Sequence, residues 1–160
     1  QFSDWKKWLI LITAFTIGHS ITLVLSVFNY IDFSINWIEF LIPVTIIITA
    51  VVNILYVKNT TKQLKTNTNL VFALFFGLIH GLGFSGYFKM LIGTSESKFL
   101  PSLEFALGVE IAQIIVVLII LILGFIFQTL FRFSKRDFVL VISSIVIGIV
   151  LPILKATIFW

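Results

Sequence analysis

There is no cysteine in the 160 residues, which excludes disulfide bonds, thiolate metal sites and cysteine-held iron–sulfur clusters. Charge is scarce too. Asp, Glu, Lys and Arg make up 11% of the chain, against about 25% in soluble domains. With a mean hydropathy of +1.15, that deficit excludes a water-soluble globular fold. The net charge is a modest +4, and there is no basic patch of the kind that binds nucleic acid. No nucleotide-binding motif, charge-rich linker, low-complexity stretch or convincing internal repeat divides the chain, so residues 1–160 are read as a single transmembrane domain.

What is abundant is apolar sequence, at 59% hydrophobic residues. It falls into five runs near or above the roughly 20 residues that a bilayer-spanning helix needs. The expected spans are 8–28, 37–56, 70–91, 101–131 and 138–159. The fold class is therefore all-α, a polytopic helical bundle whose first partner is the lipid bilayer. The first run superficially looks like a signal peptide, but it is too long, lacks a small-residue cleavage site and is followed by further spans. The fourth, at about 1.5 Å of rise per residue, must tilt or project beyond the hydrocarbon. The chain opens Gln1-Phe2-Ser3 and its single methionine is Met90, so a further helix upstream, making six in all, is expected.

Orientation follows from the basic residues. Lys6, Lys7, Lys58, Lys62, Lys65, Arg132, Lys135 and Arg136 fall on one side, and Lys89, Lys98 and Lys155 on the other. The Lys6 end and the loops 57–69 and 132–137 are expected in the cytoplasm, with the C-terminus outside.

Polar side chains at membrane depth cost roughly 2.5–3.5 kcal/mol when charged, and they face the bundle interior. In the first span Thr13, Thr16, His19, Ser20, Thr22 and Ser26 share one half of the helix, while Ala14, Ile17, Gly18, Ile21, Val24 and Leu25 share the other. The first half should face the bundle and the second the lipid. The chain's two histidines, His19 and His80, sit near mid-span in the first and third runs. Imidazole is the commonest metal ligand and a ready proton carrier, although both rings would also serve as packed core residues. Beside His80, Gly77 and Gly81 form the G-x-x-x-G spacing of tight helix contact.

Among the acids, Asn36 and Glu39 fit a capping box at the start of the second span, and Glu104 fits the first turn after Pro101. Glu110 lies deeper, with Gln113 one turn on along the same face, and needs a partner, a proton or a cation. Pro43 and Pro152 free the carbonyls of Glu39 and Gly148 and permit kinks. Asn53 and Lys155 lie nearer the membrane edges. Gly83-Phe84-Ser85-Gly86 matches the G-x-S-G pattern of rhomboid intramembrane proteases, but both histidines precede Ser85, the reverse of that order. No catalytic residue is assigned, and an enzyme is not expected.

Three segments carry a resemblance: Phe15-Thr16-Ile17-Gly18-His19-Ser20-Ile21-Thr22-Leu23, Phe76-Gly77-Leu78-Ile79-His80-Gly81-Leu82-Gly83-Phe84-Ser85 and Phe105-Ala106-Leu107-Gly108-Val109-Glu110-Ile111-Ala112-Gln113. In this order they resemble the HupE/UreJ family of small bacterial membrane proteins. The resemblance implies a six-helix permease of the bacterial inner membrane, associated with nickel and cobalt uptake. Nickel-transporting members carry F-H-G-x-A/V-H-G-x-E. Aligned on His80, this chain has Phe76 in place of the first histidine and Gly83 in place of the glutamate, as a divergent branch would.

The leading expectation is a permease or binder of a divalent transition metal, since imidazole and carboxylate suit Ni, Co, Zn, Fe or Mn. The transported ion would be cargo, and no resident cofactor is assigned. His19 and His80 would be ligands and Glu110 a ligand or proton-coupled gate. Thr16, Ser20, Thr22, Gly77, Gly81, Ser85, Gln113 and Glu39 would support them by polarity or packing. The competing expectation is a non-transporting structural or accessory subunit, held in a homo-oligomer or a larger membrane complex.

Overall fold

A computed structural model describes residues 5–57, 66–93 and 98–158. They form five helices: α1 (Trp5–Val27), α2 (Ile35–Tyr56), α3 (Thr66–Ile92), α4 (Phe99–Thr129) and α5 (Lys135–Ala156). All five are long and apolar enough to cross a membrane. Hydrocarbon offers the backbone no hydrogen bonds, and an unbroken helix satisfies its own N–H and C=O groups. Each helix starts two to four residues before its expected span. The expected basic residues Lys58, Lys62 and Lys65 and the last residue of the fifth span, Phe159, lie outside the described residues.

The helix ends correct two expectations. α2 begins at Ile35 with Ser34 as its N-cap and no side-chain cap bond, so Asn36 is already inside the helix and Glu39 is exposed. The capping box expected there does not form. A side-chain cap forms instead at α5, where the Asp137 backbone N–H donates to Ser134 Oγ at 3.1 Å, as in the first half of such a box, while Ser134 Oγ donates to Asp137 Oδ2 at 2.6 Å. Likewise α4 starts at Phe99, ahead of Pro101, which leaves no acid in its first turn. Glu104 is therefore one turn too deep for the expected helix-start role. α1 closes on Asn29 in the left-handed region (φ 59°), with the Tyr30 N–H reaching back to the Leu25 carbonyl at 2.8 Å. This is the helix stop that Asn or Gly permits.

Two helix pairs dominate the packing, α1 with α3 and α2 with α5; α4 lies along α1, and α2 joins the pairs through α3. The α1–α3 pair is parallel: Phe15 meets Gly77, His19 meets Gly81 and Ser26 meets Ser85. Glycine explains how close they come. A side chain at Gly77 would run into the Phe15 carbonyl, and one at Gly81 into the His19 carbonyl and the Thr22 hydroxyl. Between lipid-solvated helices the hydrophobic effect gives little, so close backbone approach and interhelical hydrogen bonds hold the pair. Gly18 belongs to the same seam, against the backbone of Leu74 and Leu78. The expectation that it faces lipid is thus corrected: having no side chain, it suits contact with another backbone rather than with lipid tails. α4 runs antiparallel to α1 and is barely covered: 6% of its most apolar stretch is buried, against 44% for α1.

Candidate functional site

The polar residues of α1 sort as expected for the most part. Thr16, His19, Thr22 and Ser26 are buried while Ile17 and Ile21 are exposed; Thr13 is exposed as well. The buried ones engage α3 and α4. Thr22 Oγ1 donates across the seam to the Leu78 carbonyl at 2.8 Å, and Ser26 Oγ meets Ser85 Oγ at 2.9 Å. Ser85 Oγ also donates to the Leu82 carbonyl at 2.7 Å. On the α4 side, Thr13 Oγ1 donates to Glu110 Oε1 at 3.0 Å and Thr16 Oγ1 to Gln113 Oε1 at 3.3 Å. Glu110 and Gln113 therefore do share a face, and that face is turned toward α1.

The two histidines occupy different surroundings. His19 is 1% exposed and neither ring nitrogen has a hydrogen-bond partner among the described residues; the hydroxyl of neighbouring Ser20 is equally unpartnered. Its ring is enclosed by phenyl groups from three helices. Phe84 lies 5.5 Å away between centroids, Phe105 6.1 Å and Phe15 6.2 Å. A buried polar group without a partner costs about 1–3 kcal/mol, so an imidazole held this way marks a position where something other than packing is at stake.

His80 is half-buried and anchored. Its Nδ1 lies 2.8 Å from the Phe76 carbonyl of the preceding turn. A carbonyl only accepts, so Nδ1 carries the proton, and in the neutral imidazole Nε2 keeps a free lone pair. Pinning one ring nitrogen to a carbonyl while the other stays open is how proteins orient a ligating histidine. The ring borders a cavity of about 390 Å³ between the α1–α3 and α2–α5 pairs. Its lining is mostly apolar, with Phe15, Phe76, Ile46, Ala50, Ile142 and Val146. Thr45, Thr49 and Asn53 of α2 and Ser143 of α5 add polar groups to it. The Phe15 ring touches both imidazoles, 5.3 Å from His80 and 6.2 Å from His19. It stands between the open cavity and the closed chamber.

Of the three expected ligands, then, His19 and His80 share the seam and one phenyl ring, while Glu110 is tied to Thr13 on the α4 side. Among the described residues no three His, Asp or Glu side chains converge on a position that would hold a metal ion. The residues at the two altered motif positions have other work: Phe76 accepts the His80 bond, and Gly83 packs against Ile42 and Ile38 of α2. Sequence reading passed over Thr45, Thr49 and Ser143 and placed Asn53 only at the membrane edge. Their signal was available, since positions 45, 49 and 53 recur every four residues along one face of an otherwise aliphatic stretch, residues 44–55. The aromatic walls of the His19 chamber had no such signal in a chain that is 16% aromatic.

Five membrane-spanning helices, a glycine-sealed parallel pair and two intramembrane histidines define a multi-pass helical membrane protein with a polar interior. The family model described as "HupE / UreJ protein" matches residues 2–157, and the chain belongs to that family. No curated protein and no solved structure matches it.

Proposed function

We propose that this chain is a permease of the HupE/UreJ type that passes a divalent transition-metal ion, of the nickel or cobalt kind, across the bacterial inner membrane. The observation that carries this reading is His80: an imidazole at mid-membrane, oriented through Nδ1, with Nε2 free beside a cavity. A single imidazole with neutral oxygen groups binds such an ion weakly, which suits cargo that must leave again. His19 would be the second imidazole on the route, beyond Phe15. Glu110 would act from the α4 side as a proton-linked gate rather than as a third ligand in one cluster. In this reading the Lys6 end and the loops 57–69 and 132–137 lie in the cytoplasm. The test is uptake of radiolabelled nickel or cobalt into proteoliposomes. His80→Ala should abolish it while the protein still purifies as a folded species, and uptake unchanged in that variant would overturn the assignment.

A second reading has its own observation. The 31-residue α4 leaves nearly all of its surface outside the bundle, which suits a subunit that presents one long helix to another copy or to a membrane partner. A chain that co-purifies in mild detergent, together with protein-independent metal uptake, would favour it.

A further inference from the structure

We propose that the cavity beside His80 is a water-filled vestibule, open on one side of the membrane, whose polar wall is Thr45, Thr49 and Asn53 of α2 with Ser143 of α5. It deepens the permease reading by giving hydrated cargo a route to Nε2, and it rests on that reading only for the cargo.

Three observations carry it. The first is placement. Phe15, Thr45, Phe76 and His80 lie near the middle of their helices, and Thr49 and Asn53 follow Thr45 at one and two turns toward the C-terminal end of α2. The cavity therefore runs from mid-membrane toward the end at which α2 stops and α1, α3 and α5 start. The second is unmet hydrogen bonding. Thr45 and Thr49 spend their protons on the Ile42 and Thr45 carbonyls at 2.7 and 2.9 Å, which leaves their oxygens as acceptors on the cavity side. Ser143, although only 5% exposed, makes no side-chain hydrogen bond among the described residues, and neither does the Asn53 amide. Lipid tails offer these groups nothing, whereas water satisfies donors and acceptors alike. The third is room. A cavity of about 390 Å³ holds on the order of ten waters at roughly 30 Å³ each.

The chain's lack of cysteine makes the test direct. Thr49→Cys, Asn53→Cys and Ser143→Cys are made singly in the full chain, with Ile48→Cys and Ile145→Cys as lipid-facing controls: these isoleucines are exposed, like Thr49 and Asn53, but lie outside the cavity lining. Sealed vesicles of known orientation are treated with a charged, membrane-impermeant methanethiosulfonate. Only a hydrated thiol ionises and reacts, so the three cavity cysteines should label roughly tenfold or more faster than the controls. They should do so from the Lys6 face alone. Labelling no faster than the controls overturns the vestibule, as does reaction only with a bilayer-soluble maleimide, which would assign the space to lipid chains. Ser143→Cys changes one atom and guards against misfolding. Because labelling needs no transport, failure here leaves the uptake test untouched, and failed uptake with rapid labelling removes the cargo but not the water.

Discussion

His19 and His80 lie on neighbouring helices against the same phenyl ring, yet one is sealed and the other is open. His19 is enclosed by Phe15, Phe84 and Phe105 with both nitrogens unpartnered, whereas His80 is fixed through Nδ1 and borders the cavity. The cause is local. Thr22, Gly18 and the seam glycines draw α1 closely onto α3, and phenyl rings from three helices enclose His19. On the far side of α3, contact with α2 is thinner, and Thr45, Thr49, Asn53 and Ser143 interrupt an otherwise apolar lining. Identical side chains thus acquire different chemistry from the packing density on either side of α3.

The most damaging way to break the comparison is to part the seam. A side chain at Gly81 meets a backbone carbonyl, which cannot rotate aside, as well as the Thr22 hydroxyl. Gly81→Val is expected to cost about 3 kcal/mol or more, beyond the usual range for overpacking. Loss of the monodisperse folded species in detergent would be the readout. Gly86 is the counterpart, with nothing within 4 Å, and Gly86→Ala should be neutral or stabilising by up to about 1 kcal/mol through helix propensity. Equal tolerance at both positions would refute the seam as described.

Next comes the sealed imidazole itself. His19→Leu replaces an unpartnered polar ring with an apolar group among phenyl rings, a change that relieves about 1–3 kcal/mol of unmet hydrogen bonding. The variant should therefore resist heat better than the parent in detergent and at the same time transport metal more slowly. A stability gain without any loss of uptake would make His19 a core residue and leave His80 alone on the route. A smaller effect is expected at Glu110→Gln. The amide oxygen still accepts from Thr13, so stability should hold, and uptake should fall far less than in His80→Ala. A loss as complete as that of His80→Ala would bring Glu110 into direct contact with the ion.

Much of this was legible in the residues. Five apolar runs are five helices, and G-x-x-x-G at Gly77 and Gly81 marks the contact with α1, because span length and close approach are set by properties that a linear pattern carries. Glu39 and Glu104 were misjudged because a helix start depends on where the preceding chain turns. Ile35 and Phe99 already lie inside their helices, while it is Ser134, not Asn36, whose side chain caps a helix start. Gly18 was misjudged for another reason. A period alone puts it among aliphatic residues, and only the partner helix reveals that its missing side chain is the useful property. The His19 chamber was out of reach, since which phenyl rings surround it depends on how three helices cross.

The smallest effect concerns the serine whose surroundings mimic an intramembrane protease. Ser85 Oγ lies 2.7 Å from the Leu82 carbonyl and 2.9 Å from Ser26 Oγ. A hydroxyl has one proton, and the carbonyl can only accept, so Ser85 donates to Leu82 and Ser26 donates to Ser85. Its proton is thereby held by a carbonyl, which cannot remove it, whereas a serine nucleophile needs a base at that position. Ser85→Ala removes the Ser26 acceptor, but Ser26 can turn to a carbonyl of its own helix, as serine readily does. The pair should consequently couple by only about 0.6 kcal/mol, the average for such bonds between membrane helices. A double-mutant cycle of Ser26→Ala and Ser85→Ala on unfolding in detergent measures it. Uptake should be intact in both single variants, and a Ser85→Ala protein that stays folded but loses function would move that hydroxyl from packing to chemistry.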